Sequence, residues 1–129
     1  MPDNSRFGYG AEAWDRMVEV GLDFLKEKAR LGTTTYTEFC TVVSRRSAYT
    51  IEPGDYAVRY LLGDISRQTF KSHQCPITSI VVYLDDNRPG DGFFRLGQEL
   101  RVLPRGPLSQ RRKEQFWLDE RRRTSAAFR

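Results

Sequence analysis

Between Ala11 and Leu31, the residues Trp14, Met17, Val18, Gly21, Leu22, Leu25 and Ala29 recur at three- and four-residue spacing, and acids and bases fill the positions between them. Apolar groups with that period line up only on an α-helix, so the chain is committed to an amphipathic first helix that needs a partner surface. Gly32 supplies a stop. The threonines after it have the β-branched side chains of a short strand. Thr35-Tyr36-Thr37-Glu38 then matches a capping box, in which the Thr hydroxyl and the Glu carboxylate satisfy each other's orphan backbone donors. A second helix is expected from Tyr36 to Arg46, burying Phe39, Val42 and Val43.

Ile51-Glu52-Pro53-Gly54 breaks the chain, and Asp55 is placed to cap a third helix over 56–71. One stripe of that helix holds Val58, Leu61, Leu62, Ile65 and Thr69. The opposite face carries Tyr56, Tyr60, Gly63, Arg67 and Lys71, with Arg59 at its edge. Residues 77–84, ITSIVVYL, are rich in β-branched side chains and bounded by Pro76 and an acid cluster, which predicts a strand. After a polar turn, FFRLGQEL predicts a short helix burying Phe93, Leu96 and Leu100. Pro104 and Pro107 set off a last helical segment, LSQRRKEQFWLDERRR. This order predicts one domain over 1–129 in the α+β class: a small winged-helix-like body over 11–103 and a basic C-terminal helical segment over 104–129. A chain of 129 residues supports a single modest core.

The formal charge of +4 is unevenly distributed. Residues 1–100 hold 12 Lys/Arg against 14 Asp/Glu, a net of −2, whereas residues 101–129 hold 9 against 3, a net of +6. A basic block of this kind is the footprint of a nucleic acid or an acidic partner, and equally of a solvated helix face. Two cysteines and the lack of a basic-then-apolar leader favour a reducing compartment, so a cytoplasmic protein is expected. No apolar run approaches the ~18 residues of a membrane span, and no membrane partner is expected.

Catalytic and metal-binding signatures are sparse. In LDDNRPGDG, counting Asp85 as the first ligand of a calcium loop puts Pro89 at the fifth position and Leu96 where a bidentate Glu is required. The stretch reads instead as a polar hairpin tip built from turn-forming residues. His73 and Cys75 lie two residues apart, but one further cysteine cannot complete a zinc set, and no third group is in place to orient a Cys–His pair. No phosphate-binding glycine loop, nucleophile elbow or HExxH occurs. An enzyme is not expected, and neither is a cofactor.

Three stretches, TTTYTEFCTVV, YAVRYLLGDISRQ and CPITSIVVYLDDNRPGDGFF, together resemble the winged-helix domain of alkyltransferase-like proteins over roughly residues 33–95. The matching pieces are Thr35, Tyr36 and Glu38 at a helix start, the Arg-containing helix 56–71, Pro76 leading Val81 and Val82, and Gly92 with Phe93. The resemblance implies a third helix that enters the minor groove of DNA. The family's Pro-Cys-His-Arg-Val signature is absent, because Pro76 is followed by Ile77, Thr78, Ser79 and Ile80, and Cys75 precedes the proline. Alkyl transfer is therefore not implied. The chain is also similar to uncharacterised bacterial and phage proteins that share a proline-led Ser-x-Val-Val strand followed by PGxGF.

Two functions remain in view. The first is a non-enzymatic, regulatory winged helix on double-stranded DNA. Arg59, Arg67 and Lys71 of the third helix and Arg111, Arg112, Lys113, Arg121, Arg122 and Arg123 of the last segment would meet phosphates. Tyr60 or Arg67 would read bases, and Arg88 would enter a groove from the turn. Asp64, Asp85, Asp86 and Asp91 oppose this reading, and the charge split makes the last segment the main source of affinity. The second is a protein-interaction module, a regulatory or host-targeting factor, with Tyr56, Tyr60, Phe116 and Trp117 as its patch. Phe116 and Trp117 alternatively dock the last helix onto the core, and a homodimer through that helix is a variant. The failed calcium pattern makes a direct prediction: calorimetry with calcium, magnesium and manganese gives no stoichiometric heat. A micromolar isotherm lost on Asp85→Ala would overturn it.

Overall fold

The computed structural model describes residues 7–129 as a mixed α/β protein that is mostly helical. Its elements are α1 (Ala11–Ala29), β1 (Thr34–Thr35), α2 (Tyr36–Ser47), α3 (Ala57–His73), a 3₁₀ turn (Ile77–Ile80), β2 (Val81–Val82), α4 (Asp91–Glu99) and α5 (Gln110–Ala127). The two strands pair in parallel, Thr34 against Val81 and Thr35 against Val82. A parallel pair needs a crossover, and α2 and α3 supply it.

The buried stripe of α1 faces α2 and α3 in the larger of two core clusters, with Met17, Leu25, Phe39, Val43, Leu61 and Ile65 almost fully shielded. Gly21 permits the closest approach. A Cβ there would sit 2.9 Å from Ile65 Cδ1 and 3.2 Å from the Phe39 ring, so a side chain would have to displace the end of Ile65 and press on Phe39. The smaller cluster gathers Val82, Phe93, Leu103, Phe116 and Trp117. Successive residues of a strand point to opposite sides, and β2 uses this to join the clusters: Val81 belongs to the first and Val82 to the second.

Several local expectations are corrected. Residues 77–84 are not one strand. The backbone donors of Ile77 and Thr78 go to Thr69 Oγ1 at 3.0 Å and Ser66 Oγ at 3.2 Å, two hydroxyls on α3, and Ser79 N–H closes a 3₁₀ turn on Pro76 O at 3.1 Å. With those donors taken, only Val81 and Val82 are left to pair. The polar stretch that follows is not a hairpin tip, since β2 pairs with β1 and the turn runs on into α4. The capping box is half made: Thr35 Oγ1 accepts from Glu38 N–H at 3.0 Å, but the Glu38 carboxylate turns to the Thr34 hydroxyl and to Lys28 Nζ. Asp55 does not cap α3. It accepts from Glu52 N–H at 2.9 Å, tightening the preceding turn, and α3 starts at Ala57. Val42 and Leu100 are half-buried rather than core.

The last segment closes the fold. Phe116 stacks at 5.4 Å on Phe93, Trp117 Nε1 donates to Ser79 O at 2.8 Å, and the hydroxyls of Thr124 and Ser79 meet at 3.0 Å. Phe128 packs at 4.5 Å on His73. Within this face Glu120 is only 3% exposed; Oε1 lies 3.4 Å from Arg123 Nη1, and Oε2 finds no partner among the described residues. Burial pushes its carboxyl above the usual range, with Arg123 opposing the shift and Asp119 adding to it.

A carboxyl whose folded pKa is raised binds its proton more readily in the folded state, so stability falls as pH rises through that window. Glu120→Gln is therefore expected to stabilise the protein by about 1 kcal/mol at neutral pH, by relieving a buried, half-satisfied charge. The gain should vanish below the ordinary carboxylate pKa of about 4.3. Urea unfolding of both proteins at pH 7 and at pH 4 tests this, and a destabilised variant at pH 7 would overturn it.

Candidate nucleic-acid interface and its pocket

The start of α2, the first turns of α3 and the entry to α4 enclose a pocket of about 380 Å³. Its lining includes the rings of Tyr36, Tyr56, Tyr83 and Phe93 together with Val58, Leu62 and Leu96. Tyr36 is aimed inward because it is the first residue of α2. Its ring lies 4.5 Å from that of Tyr83, and its hydroxyl accepts from Gly90 N–H at 2.9 Å. Burial pushes the Tyr36 phenol up to about 12, so it stays a neutral donor. Gly90 is required by close approach: a Cβ would stand 3.0 Å from the Tyr83 hydroxyl and 3.2 Å from that of Tyr36.

The polar turn sets Tyr83 in place. Tyr83 N–H donates to Arg88 O at 2.8 Å, Asn87 N–H to Tyr83 O at 2.8 Å, and Arg88 N–H to Asp86 Oδ1 at 3.0 Å. Asn87 takes the left-handed conformation at φ 57°, which suits its short polar side chain. Asp86 therefore serves turn geometry. Among the described residues, no three His, Cys, Asp or Glu side chains are grouped to hold a metal ion.

The basic residues expected to contact nucleic acid separate into two sets. Arg59 and Tyr60 share the exposed face of α3 with Tyr56; the Arg59 guanidinium lies 5.6 Å from the Tyr56 ring centre, and Tyr60 sits between Tyr56 at 5.7 Å and Phe7 at 4.9 Å. Lys71 is exposed one turn beyond Arg67, while Arg111 and Arg112 are exposed at the start of α5. Lys113 is half-buried, 5.5 Å from the Phe94 ring.

The remaining residues are engaged internally. Arg67 grips Glu99 at 2.6 and 2.9 Å and Asp64 at 3.0 Å, and the Glu99 bond holds its guanidinium above the usual range. Arg88 reaches Glu114 at 3.5 Å, Arg122 reaches Asp119 at 3.5 Å, and Arg123 reaches Glu120. Arg121 covers Trp117 at 5.2 Å. Arg121–Arg123 also lie ten residues along α5 from Arg111, about 15 Å at the helical rise. Sequence pattern does not foresee the pocket, because Tyr36 reads there as the start of a helix and Tyr83 as part of a strand. The Gly-Asp-Gly spacing that opens α4 is the signal that marks it.

Neither thiol lies in the pocket. Cys75 and Cys40 are buried free cysteines; burial pushes Cys75 above the usual range and Cys40 up to about 12, the opposite of an activated nucleophile. His73 is exposed, its Nδ1 2.7 Å from Ser72 Oγ. No helix among the described residues is long and apolar enough to cross a membrane. Comparison with protein-family models, curated proteins and solved structures finds no match, so the functional reading rests on the geometry.

Tyr36→Phe keeps the ring and removes the acceptor for Gly90 N–H. The expected cost is about 1 kcal/mol, the usual net worth of one such bond, together with faster exchange of the Gly90 amide. Thermal melts and amide exchange measure both, and an unchanged Gly90 exchange rate would show that the hydroxyl does not hold the turn.

Proposed function

We propose that the chain is a non-enzymatic DNA-binding protein of winged-helix-like architecture, in which α3 lies against the nucleic acid and the adjoining pocket receives an unstacked base. The ring-walled pocket carries the reading. Its volume of about 380 Å³ suits one flat heteroaromatic group, and its lining includes Tyr56, Arg59 and Gly63 of the exposed α3 face. Proteins hold a base outside the helical stack by stacking it on aromatic side chains and bonding its edge. The neutral Tyr36 hydroxyl is placed for the second task.

The lining contains no Cys, His, Lys or Ser. Its one aliphatic hydroxyl, Thr78 Oγ1, is 2.5 Å from the buried Ser66 Oγ and is occupied there. Phosphate contacts fall to Arg59, Lys71, Arg111 and Arg112, the predicted residues that remain exposed and have no ion pair among the described residues. Arg88 reaches Glu114 and Lys113 lies near Phe94, which ties the turn and α4 to the start of α5.

Fluorescence anisotropy on duplex DNA over a salt series tests the proposal. Four neutralised phosphates give a slope of log K against log salt of about −3.6, and Arg111→Ala with Arg112→Ala should reduce its magnitude by about 1.8. Substitution is preferable to removing residues 108–129, which would strip Phe116, Trp117 and Thr124 from the core. Absence of binding at low salt would overturn the proposal.

A second reading keeps one specific support. Tyr56 is 65%, Tyr83 50% and Leu84 81% exposed, an apolar rim beside Asp85 and Asp86 that suits a protein partner or a second copy of the chain. Concentration-dependent sedimentation without DNA affinity would favour it.

A further inference from the structure

The pocket has a charge as well as a shape. Its charged lining residues are Asp55, Asp91 and Arg59, a net of −1, and Asp86 stands close enough to bear on the Tyr36 phenol. The walls offer the faces of aromatic rings, whose electron density attracts cations. One cation already uses that attraction, since Arg59 lies over Tyr56 rather than on a carboxylate. A neutral base gains stacking and a bond to the Tyr36 hydroxyl in such a site, whereas a positively charged ring adds cation–π attraction and the field of the carboxylates.

We infer that the pocket selects a planar heteroaromatic ring carrying a positive charge, the class to which purines methylated on a ring nitrogen belong, over the neutral bases. This rests on the proposed reception of a base by the same pocket and adds which chemical state of the base is preferred. Asp91 is the residue that sets the preference. It lines the pocket, is exposed in the first turn of α4, and is engaged by none of the ion pairs or side-chain bonds found among the described residues. Asp55 contributes less, because its carboxylate already accepts from Glu52 N–H at 2.9 Å. Tyr36 supplies an O–H donor and no charge of its own. With no thiol or amine in the lining, the selected ring is held without a bond being made to it.

The test uses the full chain and free nucleosides, which probe the pocket independently of any duplex contact. Calorimetry should show 1-methyladenosine, cationic at pH 6.5, binding about tenfold more tightly than adenosine, and cationic 7-methylguanosine exceeding guanosine likewise. Asp91→Asn should reduce the preference, Asp91→Glu should retain it, and Tyr56→Leu should lower affinity for the cation more than for the neutral ring; circular dichroism checks that each variant is folded. Equal affinity for charged and neutral nucleosides overturns the inference, as does a preference that survives both Asp91→Asn and Tyr56→Leu, or no nucleoside binding at millimolar concentration. A single-stranded oligonucleotide with one 1-methyladenine, compared with its adenine counterpart, shows whether the same preference holds within a strand. Failure of all DNA binding alongside an intact nucleoside preference counts against the DNA-binding proposal alone. Duplex binding without nucleoside preference counts against this inference alone.

Discussion

Two hydroxyls on one helix decide where most of the chain goes. Ser66 and Thr69 occupy the buried side of α3, where an all-apolar stripe would ordinarily be expected, and their oxygens accept from the backbone of Thr78 and Ile77. Leaving those amides unbonded in the interior would cost on the order of 1–3 kcal/mol each. Satisfying them from α3 curls residues 77–80 into a 3₁₀ turn, and the position of Val81 and Val82 follows. From there Val81 enters one cluster, Val82 enters the other, and β1 is drawn in as a parallel partner. Tyr83 then emerges at the end of a buried path, held against Tyr36 at the head of α2. The pocket exists because its two principal rings are brought together by this sequence of constraints.

Charge is distributed by the same logic. Nine of the eleven basic and aromatic positions that the sequence suits to nucleic acid are arginines or lysines on helices, where a carboxylate one turn away is the usual partner. Arg122 and Arg123 behave that way with Asp119 and Glu120, and Arg67 bridges α3 to α4 through Glu99. An arginine held by two carboxylates has its geometry set before any ligand arrives, and releasing it would forfeit charge-assisted bonds. The basic excess of the last segment thus divides into a structural part, near Glu120 and Trp117, and a smaller exposed part at Arg111 and Arg112. Exposed pairs of this kind contribute little to stability, about 0–1 kcal/mol each, so their main effect is on which cations remain open to solvent.

Much of the helical order is legible in the sequence because it depends on periodicity. The first three helices and the last one fall close to their expected bounds, and Trp14, Phe39, Leu61 and Ile65 are buried as their spacing predicts. The losses come where side chains bond to backbone. Nothing in ITSIVVYL distinguishes a strand from a 3₁₀ turn until Ser66 and Thr69 are known to lie opposite, a pairing twelve and eight residues away. The Asp55 cap fails for a similar reason, because the carboxylate has a competing donor in Glu52 N–H. The candidate site was half visible: Arg59, Tyr60 and Gly92 stand in recognisable positions, while Tyr36, Thr78 and Tyr83 become a site only through tertiary contact.

Glycine placement links the pocket to the fold. Gly21 lets three helices meet, and Gly90 and Gly92 let Tyr36, Tyr83 and Arg59 approach the entry to α4, where a Cβ at Gly92 would stand 3.3 Å from Arg59 Cγ. In the core, small size admits neighbouring side chains and leaves no space. At the α4 entry, the same small size leaves a cavity, because the rings of Tyr36 and Tyr83 are fixed by each other and by the Gly90 amide and do not collapse into it. A cavity kept open by packed aromatic groups costs dispersion energy that filling would recover. That two glycines and a neutral phenol maintain such an opening beside the exposed face of α3 is what makes a flat ligand, rather than a further internal contact, the natural occupant of the proposed site.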